Sequence, residues 1–130
     1  MKLLTITIIS LLTLLNTSPT YKQTIEQTFP TNTYTTSLLT QLDGNVELIR
    51  WDQGEIKIET TISSNTNASY SLDYVIDKGS YELVTEYDDA QTIIIRSKKI
   101  NTYVFTEGQL QKTRQHYRVF LPKSMTYEYQ

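Results

Sequence analysis

Cysteine is absent from the 130 residues, which excludes a disulfide framework, a thiolate nucleophile, a Cys-based zinc site and an N-terminal lipid-accepting cysteine. Histidine occurs once, at His116, so a Ser-His-Asp triad could be assembled in only one way and a multi-His metal site in none. The four glycines stand far apart at 44, 54, 79 and 108, and no Gly-rich loop is available to cradle a phosphate. Only Ala68 and Ala90 represent the best helix former, and no stretch shows an apolar period of 3.6 over three turns. Neither charge dominates: 12 Lys plus Arg oppose 14 Asp plus Glu, a net of −2, which disfavours a globally basic nucleic-acid binder. The length suits one domain.

What the chain does contain is 21 Thr, 13 Ile and 10 Tyr, side chains that are stiff or crowded in helices and pack well on pleated sheets. Met1-Lys2 precedes a thirteen-residue run, Leu3 to Leu15, of Leu, Ile, Thr and Ser alone. A membrane-spanning helix needs roughly 20 apolar residues, so residues 1–20 read as a secretion signal and not as a permanent span. The competing reading is a first strand, because Thr5-Ile6-Thr7-Ile8 alternates. Residues 21–36 are mostly Thr, Asn, Gln and Pro and read as a polar lead-in, either a tether or an irregular lead-in strand. From residue 37 to 130, short apolar runs separated by turn residues mark a β-strand-rich domain.

Within that domain Ser37–Gln41 runs into the Asp43-Gly44 turn. The clearest strand follows at 55–62, where Ile56, Ile58 and Ile62 share one face and Glu55, Lys57 and Glu59 the other. Ser63 to Ser69 reads as a loop. Leu72, Tyr74 and Ile76 then read as one face of a strand ending at Asp77-Lys78-Gly79-Ser80. Residues 81–87 alternate before Asp88-Asp89 and predict a hairpin. Ile93-Ile94-Ile95 predicts a central strand covered on both faces. Residues 103–106, 115–121 and the run Met125, Tyr127, Tyr129 complete the set. The pattern Gly, polar, aliphatic, polar, aliphatic occurs at 44–48 and again at 54–58, as in stacked repeats. The predicted fold is therefore all-β, with short stacked or antiparallel strands forming a sandwich or a short β-solenoid.

The stretch Gly44-x-Val46-x-Leu48-x-x-Trp51-Asp52, the following Ile56-x-Ile58 and the later Tyr117-Arg118-Val119-Phe120-Leu121-Pro122-Lys123 resemble an adhesin-like β-strand-repeat family of bacterial envelope proteins. The resemblance spans roughly residues 42 to 123. It implies a secretion signal ahead of short stacked strands and a role at the cell envelope or surface, and it brings no catalytic residues. This chain departs from the family pattern in ending at Gln130, where relatives tend to continue.

Charge is uneven along the chain. Residues 42–90 hold eleven acidic and three basic residues, whereas 91–130 hold seven basic and two acidic. The sharpest feature is Lys112, Arg114, His116 and Arg118, spaced by two, which on a strand share one face while Tyr117 takes the other. With Tyr103 and Phe105 nearby, this ladder is the candidate anion-binding site, suited to an anionic glycan or envelope surface by charge and stacking. The alternative is cross-strand pairing with Glu55, Glu59, Glu82 or Glu86. Asp43 with Asp52, Asp73 with Asp77, and Asp88-Asp89 offer carboxylates, but none matches a calcium loop, and Asp at turns commonly caps local backbone. Asn67-Ala68-Ser69 fits a glycan-acceptor pattern that carries no meaning in a bacterial setting.

These readings combine into a secreted, periplasmic or cell-surface module that is not an enzyme, needs no cofactor or metal, and has an adhesin-like binding or structural role. Nucleic acid is disfavoured as a partner, and self-association through the last, C-terminal edge strand is expected. The alternative is a small β-barrel or inhibitor-like domain that binds one ligand or enzyme in a pocket. An enzyme would require carboxylates from distant turns, such as Asp52 and Asp89, to converge.

Overall fold

The computed structural model describes residues 21–64, 69–88, 91–98, 103–106 and 109–130, with side chains described for 21–64, 72–88, 91–98 and 113–130. The secretion signal at 1–20, Asn67 and Ala68 of the glycan-acceptor motif, Asp89 and the side chains of Ser69, Tyr103, Phe105 and Lys112 lie outside these residues.

Among the described residues, nine strands and one helix run in the order β1 (Tyr21–Phe29), β2 (Ser37–Gln41), β3 (Asn45–Trp51), β4 (Ile56–Ser64), α1 (Ser69–Asp77), β5 (Leu83–Tyr87), β6 (Thr92–Ser97), β7 (Tyr103–Thr106), β8 (Gln109–Pro122) and β9 (Thr126–Tyr129). They form two mixed sheets. Sheet A has the order β1-β4-β8-β3, with β7 also paired to β8, and sheet B the order β5-β6-β2-β9. No strand belongs to both, so the molecule is a sandwich and not a closed barrel.

The sandwich branch of the predicted fold is the one formed. In a solenoid the repeated units at 44–48 and 54–58 would stack on each other. Instead β3 and β4 flank β8 on opposite sides, β3 parallel to it and β4 antiparallel. The shared pattern reflects two strands packing on one common neighbour. Gly44 has a local reason: a Cβ there would stand 2.2 Å from the Gln115 carbonyl oxygen, so the chain passes β8 only without a side chain.

Alternation explains the core. In β4, Ile56, Ile58, Thr60, Ile62 and Ser64 are buried while the intervening residues are half exposed. Phe29, Ile56, Ile58, Tyr117, Val119 and Leu121 from sheet A meet Leu38, Leu83, Ile93 and Ile95 from sheet B in the main cluster. The predicted hairpin is present as β5 antiparallel to β6. Ile93 and Ile95 are deeply buried as expected, but Ile94 is only half-buried, because β6 is central in its sheet with one face left uncovered.

One expectation is corrected. The stretch 72–76 is helical, not a strand. Leu72 and Ile76, four residues apart, are buried on one helix face, and Tyr74, which a strand would have placed beside them, is 58% exposed. The helix ends in a Schellman arrangement, with Ser80 N–H on the Val75 carbonyl, Gly79 N–H on that of Ile76, and Gly79 at φ +78°. Of the two readings of the lead-in, residues 21–29 take the strand: they form β1 and pair regularly with β4 over their full length. The inward positions of β1 include Gln23 and Gln27, both buried, which hid the alternation from any apolar count.

Candidate functional site

Strand β8 sorts its side chains cleanly: Thr113, Gln115, Tyr117, Val119 and Leu121 are buried, and Arg114, His116 and Arg118 are exposed. The basic ladder thus occupies the outer face of sheet A, with Lys112 placed in the same strand opposite Tyr103. Register extends each rung across the sheet. Arg118 lies between Glu59 of β4 and Glu47 of β3, with Glu26 of β1 beyond Glu59. His116 lies between Thr61 and Asn45, and Arg114 lies beside Ser63, with Lys22 beyond.

These rungs decide where charge is neutralised. Arg118 stands 3.6 Å from Glu47 and 3.8 Å from Glu59, and His116 Nε2 is 3.8 Å from Glu47. Lys57 completes the network, 3.8 Å from both Glu26 and Glu59. Of the acids named from sequence, Glu59 is a partner of the ladder. Glu82 and Glu86 instead pair with Lys98 and Arg96, beside sheet B. Glu47 was missed, because its apposition to Arg118 depends on a parallel pairing of strands some seventy residues apart that no local pattern shows. Arg114 and Lys22 make no ion pair among the described residues and leave one end of the face basic.

The opposite end is aromatic, which the sequence reading also missed. Trp51 and Phe120 stand with ring centroids 5.3 Å apart at 46°. Lys57 Nζ lies 4.4 Å from the Phe120 centroid and 5.4 Å from that of Trp51, and the Arg118 guanidinium carbon is 5.3 Å from Phe120. The Trp51 indole N–H donates to the Glu55 carbonyl at 2.9 Å, which fixes the ring at the turn between β3 and β4. The signal was available: Ile49 and Trp51 sit at the outward period-2 positions of β3, opposite Phe120 and Pro122 of β8.

Of the carboxylates named from sequence, Asp89 lies outside the described residues, and Asp52 and Asp73 each have local partners. Asp52 pairs with Lys123 at 2.8 Å on the surface, and Asp73 accepts from Tyr21 Oη at 3.1 Å and Gln23 Nε2 at 2.9 Å. Among the described residues no group of three or more His, Asp or Glu side chains is placed to hold a metal ion. The titrating groups with displaced pKa are tyrosines. Burial pushes Tyr81, Tyr117 and Tyr127 above the usual phenol value, opposed in part by their hydrogen bonds to Thr113, Ser97 and Thr40. All three are positioned as core and inter-sheet contacts.

No family model, no curated protein and no solved structure matches this chain. Its outer face is a solvated sheet surface graded from an aromatic end through an ion-pair network to a basic end. Among the described residues no helix is long and apolar enough to cross a membrane.

Proposed function

We propose that this chain is an exported, non-catalytic binding module of the cell envelope or surface, and that the outer face of sheet A is its contact surface. The observation that carries the reading is the arrangement along β8, where Arg114 remains without an acidic partner among the described residues while Arg118 lies between Glu47 and Glu59 and His116 lies beside Glu47. Export rests on the apolar segment near the N-terminus, and the surface role is what the resemblance to the adhesin-like repeat family implies.

The partner this face suits is a sulfated or uronate-bearing glycan. Its anions would meet Arg114 and Lys22, which strand spacing separates by about 10 Å, while sugar rings would lie along the sheet toward Phe120 and Trp51. Adsorption onto an immobilised sulfated glycan should be retained at low salt and fall steeply as ionic strength rises. Replacing both Lys22 and Arg114 with Glu should abolish it without altering the circular dichroism spectrum. Absence of retention at low salt, or retention indifferent to salt, would refute the proposed surface. Cell fractionation with and without residues 1–20 tests export.

A further inference from the structure

The basic ladder on β8 contains one side chain whose charge is not permanent. The guanidinium groups of Arg114 and Arg118 keep their protons at every ordinary pH. Between them stands His116, the chain's one histidine, and imidazole is the side chain that gains its charge between pH 8 and 5. His116 is exposed on the outer face of sheet A, where both a proton and a ligand reach it.

Register sets what faces the imidazole. Along β8 it is flanked by Arg114 and Arg118. From β4, Thr61 stands opposite, with Glu59 and Ser63 on either side of it; from β3, Asn45 stands opposite, with Glu47 two positions on. Beyond β4, β1 brings Thr24 beside Thr61, with Lys22 and Glu26 to either side. Among these groups Glu47 is the one paired with the ring, its Oε2 lying 3.8 Å from His116 Nε2. The same oxygen lies 3.6 Å from Arg118 Nε, whose guanidinium also has Glu59 at 3.8 Å.

One carboxylate oxygen therefore has two suitors. While the imidazole is neutral, Glu47 compensates Arg118. Once the imidazole is protonated, it competes with Arg118 for that oxygen, and whichever cation loses is left more open to solvent. On the outer face of β1, β4, β8 and β3 the described side chains carry four permanent cations, Lys22, Lys57, Arg114 and Arg118, against the carboxylates Glu26, Glu47 and Glu59. Protonation of His116 raises that balance from one net positive charge to two, and the added charge appears next to Arg114, the cation already without an acidic partner among the described residues.

We infer that His116 is a pH switch on this surface, which holds a sulfated glycan more tightly as the medium turns acid. The inference rests on the outer face being the contact surface for an anionic glycan. Sulfate esters keep their charge throughout this interval, so the change in attraction comes from the protein. An anion held about 4 Å from one added, solvated charge gains about fivefold in affinity.

The test is binding of the full chain to dextran sulfate at pH 7.5 and 5.5, at one low ionic strength, with circular dichroism confirming the fold at both. Affinity should be about fivefold higher at pH 5.5. His116→Gln, neutral throughout, should bind at both values as the unaltered chain does at pH 7.5, and His116→Lys, charged throughout, should bind tightly at both. Binding that favours the protonated ring must in turn favour its protonation, so the ring-proton resonances of His116 should titrate at higher pH with dextran sulfate present than without it, a displacement that a purely structural histidine would not show. Binding of equal strength at the two pH values, or a pH dependence that survives in His116→Gln, would overturn the switch and leave the contact surface standing. Absence of binding at both values would refute the contact surface itself, and the switch with it.

Discussion

The two hydrophobic clusters of this molecule are built on the same strands yet differ in kind. The cluster between the sheets is almost wholly apolar, with Ile56, Ile58, Leu38, Ile95, Val119 and Leu121 all fully buried. The cluster beneath α1 has Ile25, Ile62, Leu72 and Ile76 interleaved with polar side chains. Gln23, Gln27, Thr60, Ser64, Thr113 and Gln115, all buried, lie on that inner face of sheet A. Sheet B supplies dense apolar cover at one end, and a single two-turn helix covers the other. Buried polar groups at the second end need partners, and they find them in α1, its connection and the start of β5: Gln23 in Asp73, Thr113 in Tyr81, Gln27 in Leu83. The first end holds the fold together, and the second leaves a cavity of about 290 Å³ walled in part by Ile25 and Ile76.

The largest effect should come from breaking the first cluster. Ile58→Ala removes a fully buried side chain from a packed site and should cost about 3–5 kcal/mol. Ile76→Ala, at 7% exposure and already facing a cavity, should cost about 2 kcal/mol, since fewer contacts are lost. Urea denaturation at unchanged m-value measures both. Equal losses would mean that the cluster under α1 is packed as tightly as the one between the sheets, against the comparison drawn above.

A smaller effect is spread over both clusters and appears with pH. Tyr81 belongs to the cluster under α1, whereas Tyr117 belongs to the inter-sheet one and Tyr127 packs against it. Burial raises the pKa of each in the folded state above its unfolded value near 10. The unfolded chain therefore loses these protons first, so the stability they confer is complete below that value and declines as pH rises through the folded pKa values. Alkaline titration followed by circular dichroism should show unfolding coincident with a late, cooperative rise in tyrosinate absorbance. Tyr81→Phe, which cannot ionise, should move that unfolding to higher pH. Ionisation of every tyrosine at the usual value, with the fold intact, would contradict this.

What could be seen from sequence follows the same division. Strands β4 and β8 were legible because one face of each is apolar at period 2 where sheet B covers it. Strand β1 was legible only as a tether or an irregular strand, because Gln23 and Gln27 occupy inward positions that an apolar count scores as solvent. The helix was misread because Leu72 and Ile76 fit a period of two as well as of four, and only the C-terminal glycine at 79, with Val75 completing the i+3 spacing, distinguishes them. The basic ladder was legible as a face. Its neutralisation by Glu47 was not, since parallel pairing of β3 with β8 brings together residues about seventy apart in sequence.

The smallest effect on stability is expected where charge is densest. Glu47 is 54% exposed and bridges Arg118 and His116 on the outer face. Exposed pairs of this kind contribute roughly 0–1 kcal/mol, so Glu47→Gln should shift the denaturation midpoint barely at all. The same change releases Arg118 from one of its two acidic neighbours and leaves Glu59 as the other. Retention on a sulfated glycan should therefore rise and persist to higher ionic strength, in the opposite direction to the Lys22 and Arg114 double replacement. A variant that loses stability by more than about 1 kcal/mol, or gains no retention, would show that the network on this face serves the fold and not a partner.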